Sequence, residues 1–210
     1  MTADLAIDRD THQLRFTREW FCDRNLRTFR QFVYPQWAGK PLTYLEVGVY
    51  EGMSMVWMAQ HVLTDPDARA VGIDPWLMSR KLDPDEMEEV RQRAVYNTSF
   101  YHRCRLVRGC SAEVLRRMRG RRGYAGICQG CVDLCLIDGD HNAPYVLDDA
   151  RQCLFLLEPG GVMMFDDVVT CRPNRAHHVK EAIATFVEEA GDQIELLWTH
   201  GFIQAFRKCK

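Results

Sequence analysis

The sequence predicts an α/β fold in which a mostly parallel, seven-stranded sheet carries helices on both faces. Short apolar stretches alternate with amphipathic ones along most of the chain, as they do where crossover helices connect parallel strands. The last two apolar stretches, residues 194–198 and 202–206, are separated by only three residues. Because three residues cannot form a crossover helix, we expect the sheet to end in an antiparallel hairpin.

The single elements follow from hydrophobic spacing and from turn residues. Apolar side chains at helical spacing over residues 14–33 predict an N-terminal helix beside the main fold. Short apolar stretches bounded by turn residues predict five further strands, at residues 42–47, 70–74, 105–109, 132–138 and 161–166. Helical patterns predict the connections between them and after them, at residues 53–62, 84–96, 111–118, 143–157 and 176–190. Ser111 is the expected N-cap of the third of these helices.

The length and composition favour one domain, with a helical extension over residues 1–40 and a core over residues 41–210. The 27 basic and 29 acidic side chains nearly balance, so no global field attracts nucleic acid or membranes. No signal-peptide pattern and no apolar stretch of membrane-spanning length is visible. The nine cysteines are odd in number, and some lie in apolar runs, which indicates reduced thiols. We therefore expect a cytoplasmic protein.

The first predicted strand leads into a glycine turn, where Glu46, Gly48 and Gly52 form the pattern Glu-x-Gly-x-x-x-Gly. Open α/β sheets bind ligands beyond the carboxyl ends of their strands, and the turn lies at such an end. Gly48 lets a ligand approach the backbone, and Gly52 opens a helix whose first amides, with the Ser54 hydroxyl, could hold a cofactor carboxylate. Asp74 ends the second strand, where it could accept both hydroxyls of a ribose. These five residues are cofactor-binding candidates, against the alternative of an ordinary strand-to-helix turn.

The spacing of the glycines favours S-adenosylmethionine over NAD as the cofactor. The dinucleotide pattern Gly-x-Gly-x-x-Gly is absent, because the next glycine after Gly48 is Gly52. Cys110 and Ser111 follow the third strand, where the adenine edge of the cofactor is expected. Trp76 could stack on that base, or it could instead serve in packing or in a lid.

Carboxylates and a histidine follow the fourth and fifth core strands. Asp138 ends one strand, Asp166 and Asp167 end the next, and His141 lies three residues beyond Asp138. Carboxylates crowded at one edge repel each other, and oxygen ligands of this kind suit Mg²⁺. A cation there could lower the pKa of a substrate hydroxyl, while His141 takes its proton and Asp138 also contacts the cofactor. In the alternative interpretation the aspartates cap helices and His141 is a loop residue.

Four segments together resemble one group of enzymes, with the similarity running from about residue 42 to residue 170. The segments are residues 44–54, 71–76, 133–141 and 157–167. They are similar to the macrocin O-methyltransferase and cephalosporin-hydroxylase-associated group of class I S-adenosylmethionine-dependent methyltransferases. The resemblance implies a Rossmann-like fold and a Mg²⁺-dependent O-methyltransferase for hydroxyls of sugars or natural products.

Carried over residue by residue, the resemblance makes Asp138, Asp166 and Asp167 metal ligands and His141 the general base. The chain is short compared with larger members of the group and leaves little room for a separate substrate domain. The sequence therefore predicts a small hydroxylated acceptor without identifying it. A metal-independent methyltransferase acting on another acceptor, nucleic acid included, and a non-catalytic cofactor-binding protein are the alternatives.

Three other patterns have simpler explanations than a second site. Eight arginines between residues 103 and 122 are expected on a solvated surface balanced by nearby acids. Cys128 and Cys131 have the spacing of half a zinc site but lack a second tight pair. His177 and His178 could line the substrate entrance, although a surface position is more common. The aromatic side chains of residues 16–37 could cover the sheet or a partner subunit, which would make the protein a homo-oligomer.

Overall fold

The computed structural model describes residues 5–21, 23–77, 83–169 and 173–210, with the backbone alone for residues 173–177. All seven strands of the described chain belong to one sheet, in the order β3-β2-β1-β4-β5-β7-β6. The strands are β1 Thr43–Val47, β2 Arg69–Asp74, β3 Cys104–Arg108, β4 Val132–Ile137, β5 Leu157–Phe165, β6 Ile194–His200 and β7 Ile203–Lys208. Strands β1 to β5 pair in parallel, whereas β7 is antiparallel to both β5 and β6. The predicted fold is confirmed.

The helices connect the strands as expected, with small shifts at their ends. They are α1 Asp23–Thr28, α2 Tyr34–Trp37, α3 Met53–His61, α4 Pro84–Thr98, α5 Ser111–Arg119, α6 Ala143–Leu156 and α7 Pro173–Ala190. The N-cap of α5 is Cys110 rather than Ser111, and Ser111 is the first helical residue. None of the described helices combines the length and the apolar character needed to cross a lipid bilayer.

The prediction of a single N-terminal helix over residues 14–33 is wrong in its position. Residues 14–21 are not helical, and the helical region begins at Asp23 and continues to Trp37. Between α1 and α2 it widens into a π-helical turn, Phe29–Val33, in which the Tyr34 N–H donates to the Phe29 carbonyl. The wider turn precedes Pro35, whose ring would clash with the carbonyl four residues earlier in an α-helix.

Two apolar clusters cover the two faces of the sheet. On one face, Trp57 of α3 and Phe29 of the N-terminal region are fully buried beside Tyr44 of β1. On the other face, Leu115 of α5 and Phe186 of α7 pack with strand residues that include Leu45. Successive β1 side chains thus enter opposite clusters, as alternation along a strand requires. Each fully buried aliphatic side chain contributes about 1.5–3 kcal/mol to this arrangement.

The strand order reverses at the centre of the sheet, next to β1. From β1 the chain moves through β2 to β3 on one side, and β4 and β5 lie on the other. The loops that leave β1 and β4 therefore diverge and open a crevice at the carboxyl ends of these strands. This is the position at which open α/β sheets bind their ligands.

Candidate active site

A cavity of about 730 Å³ lies in this crevice, at the carboxyl ends of β1, β2 and β4. Its volume is within the range of sites that bind small molecules and cofactors. Seven of the residues singled out from the sequence line it, namely Gly48, Ser54, Asp74, Cys110, Ser111, Asp138 and His141. The other five, Glu46, Gly52, Trp76, Asp166 and Asp167, are not among the lining residues. The cavity therefore joins most of the predicted cofactor turn to the predicted catalytic histidine.

The glycine turn is shaped by contacts within the protein. Gly48 has φ +92°, and a Cβ there would overlap the carbonyl oxygen of Asp138 and lie 2.7 Å from Cα of Gly139. The Gly48 N–H donates to the Ile73 carbonyl at 2.9 Å, so the turn is held between β2 and the loop after β4. Gly52, with φ +81°, is the N-cap of α3. Only glycine meets both requirements at position 48, a left-handed backbone and no side chain.

Glu46 and Ser54 are bonded to each other beneath this turn. The Ser54 hydroxyl donates to Glu46 at 2.6 Å, and the Tyr44 hydroxyl donates to the other oxygen of Glu46 at 2.6 Å. Glu46 is fully buried, and burial raises its pKa to about 7 although both hydrogen bonds act to lower it. Ser54 also lines the cavity, while its hydroxyl, the group expected to hold a cofactor carboxylate, donates to Glu46.

The Asp74 carboxylate fixes the glycine turn to the end of β2. One of its oxygens accepts from the N–H groups of Val49 and Tyr50, each at 2.9 Å, and the other accepts from the Trp76 N–H at 2.7 Å. Burial raises the pKa of Asp74, and these backbone bonds oppose the increase. The oxygen that accepts from Trp76 keeps acceptor capacity, since a carboxylate oxygen has two lone pairs and only one donor reaches it.

Trp76 takes the packing role that the sequence left open. Its side chain is 3% exposed and lies in the core cluster with Met87 and Val90 of α4. The indole N–H donates to the Tyr50 carbonyl at 2.9 Å, and Trp76 itself has φ +43°. Its neighbours Pro75 and Leu77 line the cavity instead.

The start of α5 forms the opposite wall of the cavity, through Cys110, Ser111 and Ala112. Ser111 is hydrogen-bonded to Asp149 of α6, whose pKa is raised to about 7 by burial. Asp149 is not among the residues predicted from the sequence. The feature of the sequence that could have identified it is an acidic residue next to Ala150 in α6, where both residues are buried.

Three carboxylates gather at the ends of β4 and β5, as the parallel pairing predicts. Ile137 pairs with Phe165 in the register of these strands, so Asp138 and Asp166 both follow paired residues. The pKa of Asp138 is raised well above its usual range by burial and then by the charges of Asp166 and Asp167. Burial also raises the pKa of Asp166 to about 7.

The N-terminal region contacts this acidic rim, which consists of Asp138, Asp166 and Asp167. The Asn25 side-chain amide donates to Asp166 at 2.8 Å, and the Asp167 N–H donates to the other oxygen of Asp166, also at 2.8 Å. Ligating carboxylates commonly accept such hydrogen bonds from outer partners. In the described part of the chain, however, no three His, Cys, Asp or Glu side chains are arranged as a ready-made metal site.

His141 faces Asp167 across the rim. Its Nδ1 lies 3.5 Å from Oδ2 of Asp167, and the two side chains are 22% and 26% exposed. The distance is that of an ion-pair contact rather than of a short hydrogen bond. His141 is half-buried and lines the cavity. The Asp167 carboxylate can orient its ring and stabilise a positive charge on it.

A family model described as a methyltransferase domain matches residues 45–168, more than half of the chain. The chain belongs to this methyltransferase family. The match begins in β1 and ends after β5, so it contains all the site residues predicted from the sequence. A search of curated proteins found no match.

Solved structures of several methyltransferases have a similar fold. A candidate O-methyltransferase from Klebsiella pneumoniae superposes with a TM-score of 0.61 at 18% identity, over 95% of this chain and 86% of the other. The O-methyltransferase from Bacillus cereus in complex with SAH gives 0.59 at 20% identity, over 89% and 81%. A candidate rRNA-methylase from Clostridium thermocellum gives 0.63 at 11% identity, over 90% and 97%. At these identities the likeness extends to the fold alone.

The arginines of residues 103–122, the pair Cys128 and Cys131, and His178 do not line the cavity of this methyltransferase. Arg117 stacks on Tyr124 and Arg119 on Phe155, which places both guanidinium groups against aromatic rings. The Cys131 thiol accepts from the Cys128 N–H and donates to the Cys128 carbonyl, and both cysteines are free thiols. His178 lies 4.0 Å from Glu181 and does not line the cavity, while the side chain of His177 lies outside the described residues.

The segment before α1 forms a further wall of the cavity. Arg18, Trp20 and Phe21 line the cavity from this segment. The apolar spacing that includes Trp20 and Phe21 predicts a helix, which would place these two side chains on a core-facing stripe. No local signal marks them, because their role depends on where the segment crosses the mouth of the cavity.

Proposed function

We propose that this methyltransferase uses S-adenosylmethionine to methylate a hydroxyl group of a small acceptor, with His141 as the general base. The observation that carries the proposal is one shared cavity. The glycine turn and Asp74 line it at one end, and Asp138 and His141 line it beside them. A methyl donor and a base can therefore act on the same acceptor.

The residues present suit S-adenosylmethionine, which supplies a methyl group carried on a positively charged sulfur. Asp74 would accept a ribose hydroxyl, and the Cys110–Ser111 start of α5 would border the adenine. The Asp138 carboxyl lines the cavity where the positive sulfur is expected, and a positive charge there would favour its ionised form. The Bacillus cereus O-methyltransferase with a similar fold was solved in complex with SAH, which supports the same cofactor class.

His141 would accept the proton of the acceptor hydroxyl at Nε2. The Asp167 carboxylate faces Nδ1, so it orients the ring and stabilises the imidazolium that forms. Without removal of this proton the acceptor oxygen is a weak nucleophile. The shared cavity would hold the two reactants close together, which raises their effective concentration.

Mg²⁺ is a further part of the proposal, and Asp138, Asp166 and Asp167 are the residues that would hold it. Burial and the neighbouring carboxylates raise the pKa values of Asp138 and Asp166, which means that their negative charges are unfavourable in this site. A hard cation such as Mg²⁺ would compensate these charges. When bound, Mg²⁺ would supply a positive charge that lowers the pKa of an acceptor hydroxyl. Asn25 would act as an outer partner that orients Asp166.

A small acceptor is favoured over nucleic acid by the position of the arginines. The described residues that line the cavity include Arg18 but no arginine of the stretch from residue 103 to residue 122. Arg117 and Arg119 are held against aromatic rings of the protein itself. These arginines therefore do not form a path of basic side chains along which a nucleic-acid backbone could reach the cavity.

Calorimetry with S-adenosylhomocysteine and with NAD tests the cofactor. We expect S-adenosylhomocysteine to bind at least tenfold more tightly, because the turn lacks the glycine spacing for a pyrophosphate. Asp74→Asn should weaken S-adenosylhomocysteine by about tenfold, as loss of a hydrogen-bonded charge predicts. The exposed Asp192→Asn variant is the control and should bind normally. Tighter binding of NAD would overturn the proposed function.

The metal is tested by methyl-transfer assays after treatment with EDTA. We expect turnover to fall about tenfold or more and to return on addition of Mg²⁺, while S-adenosylhomocysteine still binds. Asn25→Ala should raise the Mg²⁺ concentration needed for half-activation by about tenfold, because Asp166 loses its outer partner. Activity that is the same with EDTA and with Mg²⁺ would remove the metal from the proposal and leave His141 as the source of activation.

A further inference from the structure

We infer that the acceptor is a planar aromatic compound whose hydroxyl is attached to the ring, bound at the apolar mouth of the cavity. This inference rests on the proposed function and specifies its substrate class. The acceptor oxygen gives its proton to His141 and forms the new O–C bond. The C–S bond of the methyl donor breaks, and its electron pair stays on the sulfur.

The mouth of the cavity concentrates apolar surface that is exposed to solvent. Eight large hydrophobic side chains are exposed in the described part of the chain, and three of them line this one cavity. They are Trp20, Leu77 and Tyr145, which are 56%, 58% and 59% exposed. Large apolar side chains grouped around a concave site usually mark a ligand surface.

Trp20 forms a stacking platform. Its ring is stacked on that of Tyr50, with a centroid distance of 4.0 Å and an interplanar angle of 26°. Tyr50 is fixed in turn, because its N–H donates to Asp74 and its side chain is hydrogen-bonded to Arg18 and Thr17. The exposure of Trp20 leaves indole surface on which a second planar ring can stack.

Buried hydrogen bonds hold the platform in place. Glu51 is 1% exposed and accepts from the N–H and the hydroxyl of Thr17, each at 2.7 Å. It also forms an ion pair with Arg93 at 2.6 Å. The Asn97 side chain bonds both the N–H and the carbonyl of Arg15. The segment that carries Trp20 is therefore a built wall of the cavity.

The chemistry of the base favours the same class of acceptor. A phenolic hydroxyl has a pKa of about 10, far below that of an aliphatic alcohol. General-base catalysis works best when the acidity of the proton is matched to the base, so a histidine serves a phenol better than a sugar hydroxyl. A sugar would also need polar partners around the rim, where Trp20, Leu77 and Tyr145 present apolar surface.

The test compares 2-naphthol, decahydro-2-naphthol and methyl α-glucoside by calorimetry on the full chain saturated with S-adenosylhomocysteine. We expect 2-naphthol to bind about tenfold more tightly than either of the others. Trp20→Ala should weaken 2-naphthol about tenfold, and Trp20→Phe should keep most of the affinity. Phe100→Ala is the matched control, since Phe100 is an exposed aromatic residue that does not line the cavity; it should change nothing.

The outcomes separate this inference from the proposed function. Equal binding of 2-naphthol and decahydro-2-naphthol, preference for the glucoside, or indifference to Trp20→Ala would overturn the aromatic acceptor. Methyl transfer to an aliphatic hydroxyl would then leave the proposed function standing. Failure of S-adenosylhomocysteine to bind would instead overturn the proposed function, and binding of 2-naphthol to the cofactor-free protein would still test the platform.

Discussion

His141→Ala is expected to lower kcat for methyl transfer by about 10²–10⁴, the usual contribution of a positioned general base. The variant loses the group that takes the acceptor proton, while the residues around the cofactor end of the cavity stay in place. Binding of S-adenosylhomocysteine should therefore remain within about twofold of the wild-type value. Single-turnover rates and calorimetry measure the two effects separately.

His178→Ala is the control for His141→Ala, because His178 lies outside the cavity next to Glu181. It should be fully active. Asp167→Asn tests the positioning of the base and should lower kcat less than His141→Ala does, with a shifted pH profile, because the ring loses its carboxylate partner. A His141→Ala enzyme with unchanged turnover would remove this histidine from the mechanism.

Gly48→Ala is expected to lower the free energy of unfolding by about 2–5 kcal/mol and to abolish cofactor binding. The new Cβ would overlap the Asp138 carbonyl at a backbone φ of +92°, so either the turn or the loop after β4 must move. Both line the cavity. Denaturant unfolding measures the stability loss, and calorimetry with S-adenosylhomocysteine measures the loss of binding.

Gly160→Ala separates the clash from the backbone strain. Gly160 has φ +90°, and a Cβ there would meet nothing within 4 Å. This variant should lose about 1 kcal/mol from strain alone and should bind S-adenosylhomocysteine normally. Equal losses in the two variants would show that the close approach of Gly48 to Asp138 has no energetic weight.

The sequence correctly predicts the features that depend on regular periodicity. The strands from β1 to β5 and the terminal hairpin follow from the spacing of apolar residues, and all are present. The acidic rim follows from the same logic, since residues at the ends of adjacent parallel strands must share an edge. The register that pairs Ile137 with Phe165 brings Asp138 and Asp166 together as predicted.

The segment before α1 is a region where periodicity predicts the wrong structure. Its apolar spacing fits a helix, yet Arg15 and Thr17 donate their N–H groups to Asn97 and Glu51 instead of to a helical turn. A backbone group takes the partner that the folded chain provides, and these acceptors lie 82 and 34 residues away. Local pattern cannot reveal such partners.

The sequence by itself determined the order of strands and helices, the glycine turn and the edge at which the candidate residues collect. The tertiary structure decided the partner of each polar side chain. It turned the Ser54 hydroxyl toward Glu46, buried Trp76 against α4, and brought Trp20 over Tyr50 at the cavity mouth. The physical reason is that periodicity is a local property of the chain, whereas a hydrogen bond or a stacked ring requires two groups that only the completed fold brings within reach.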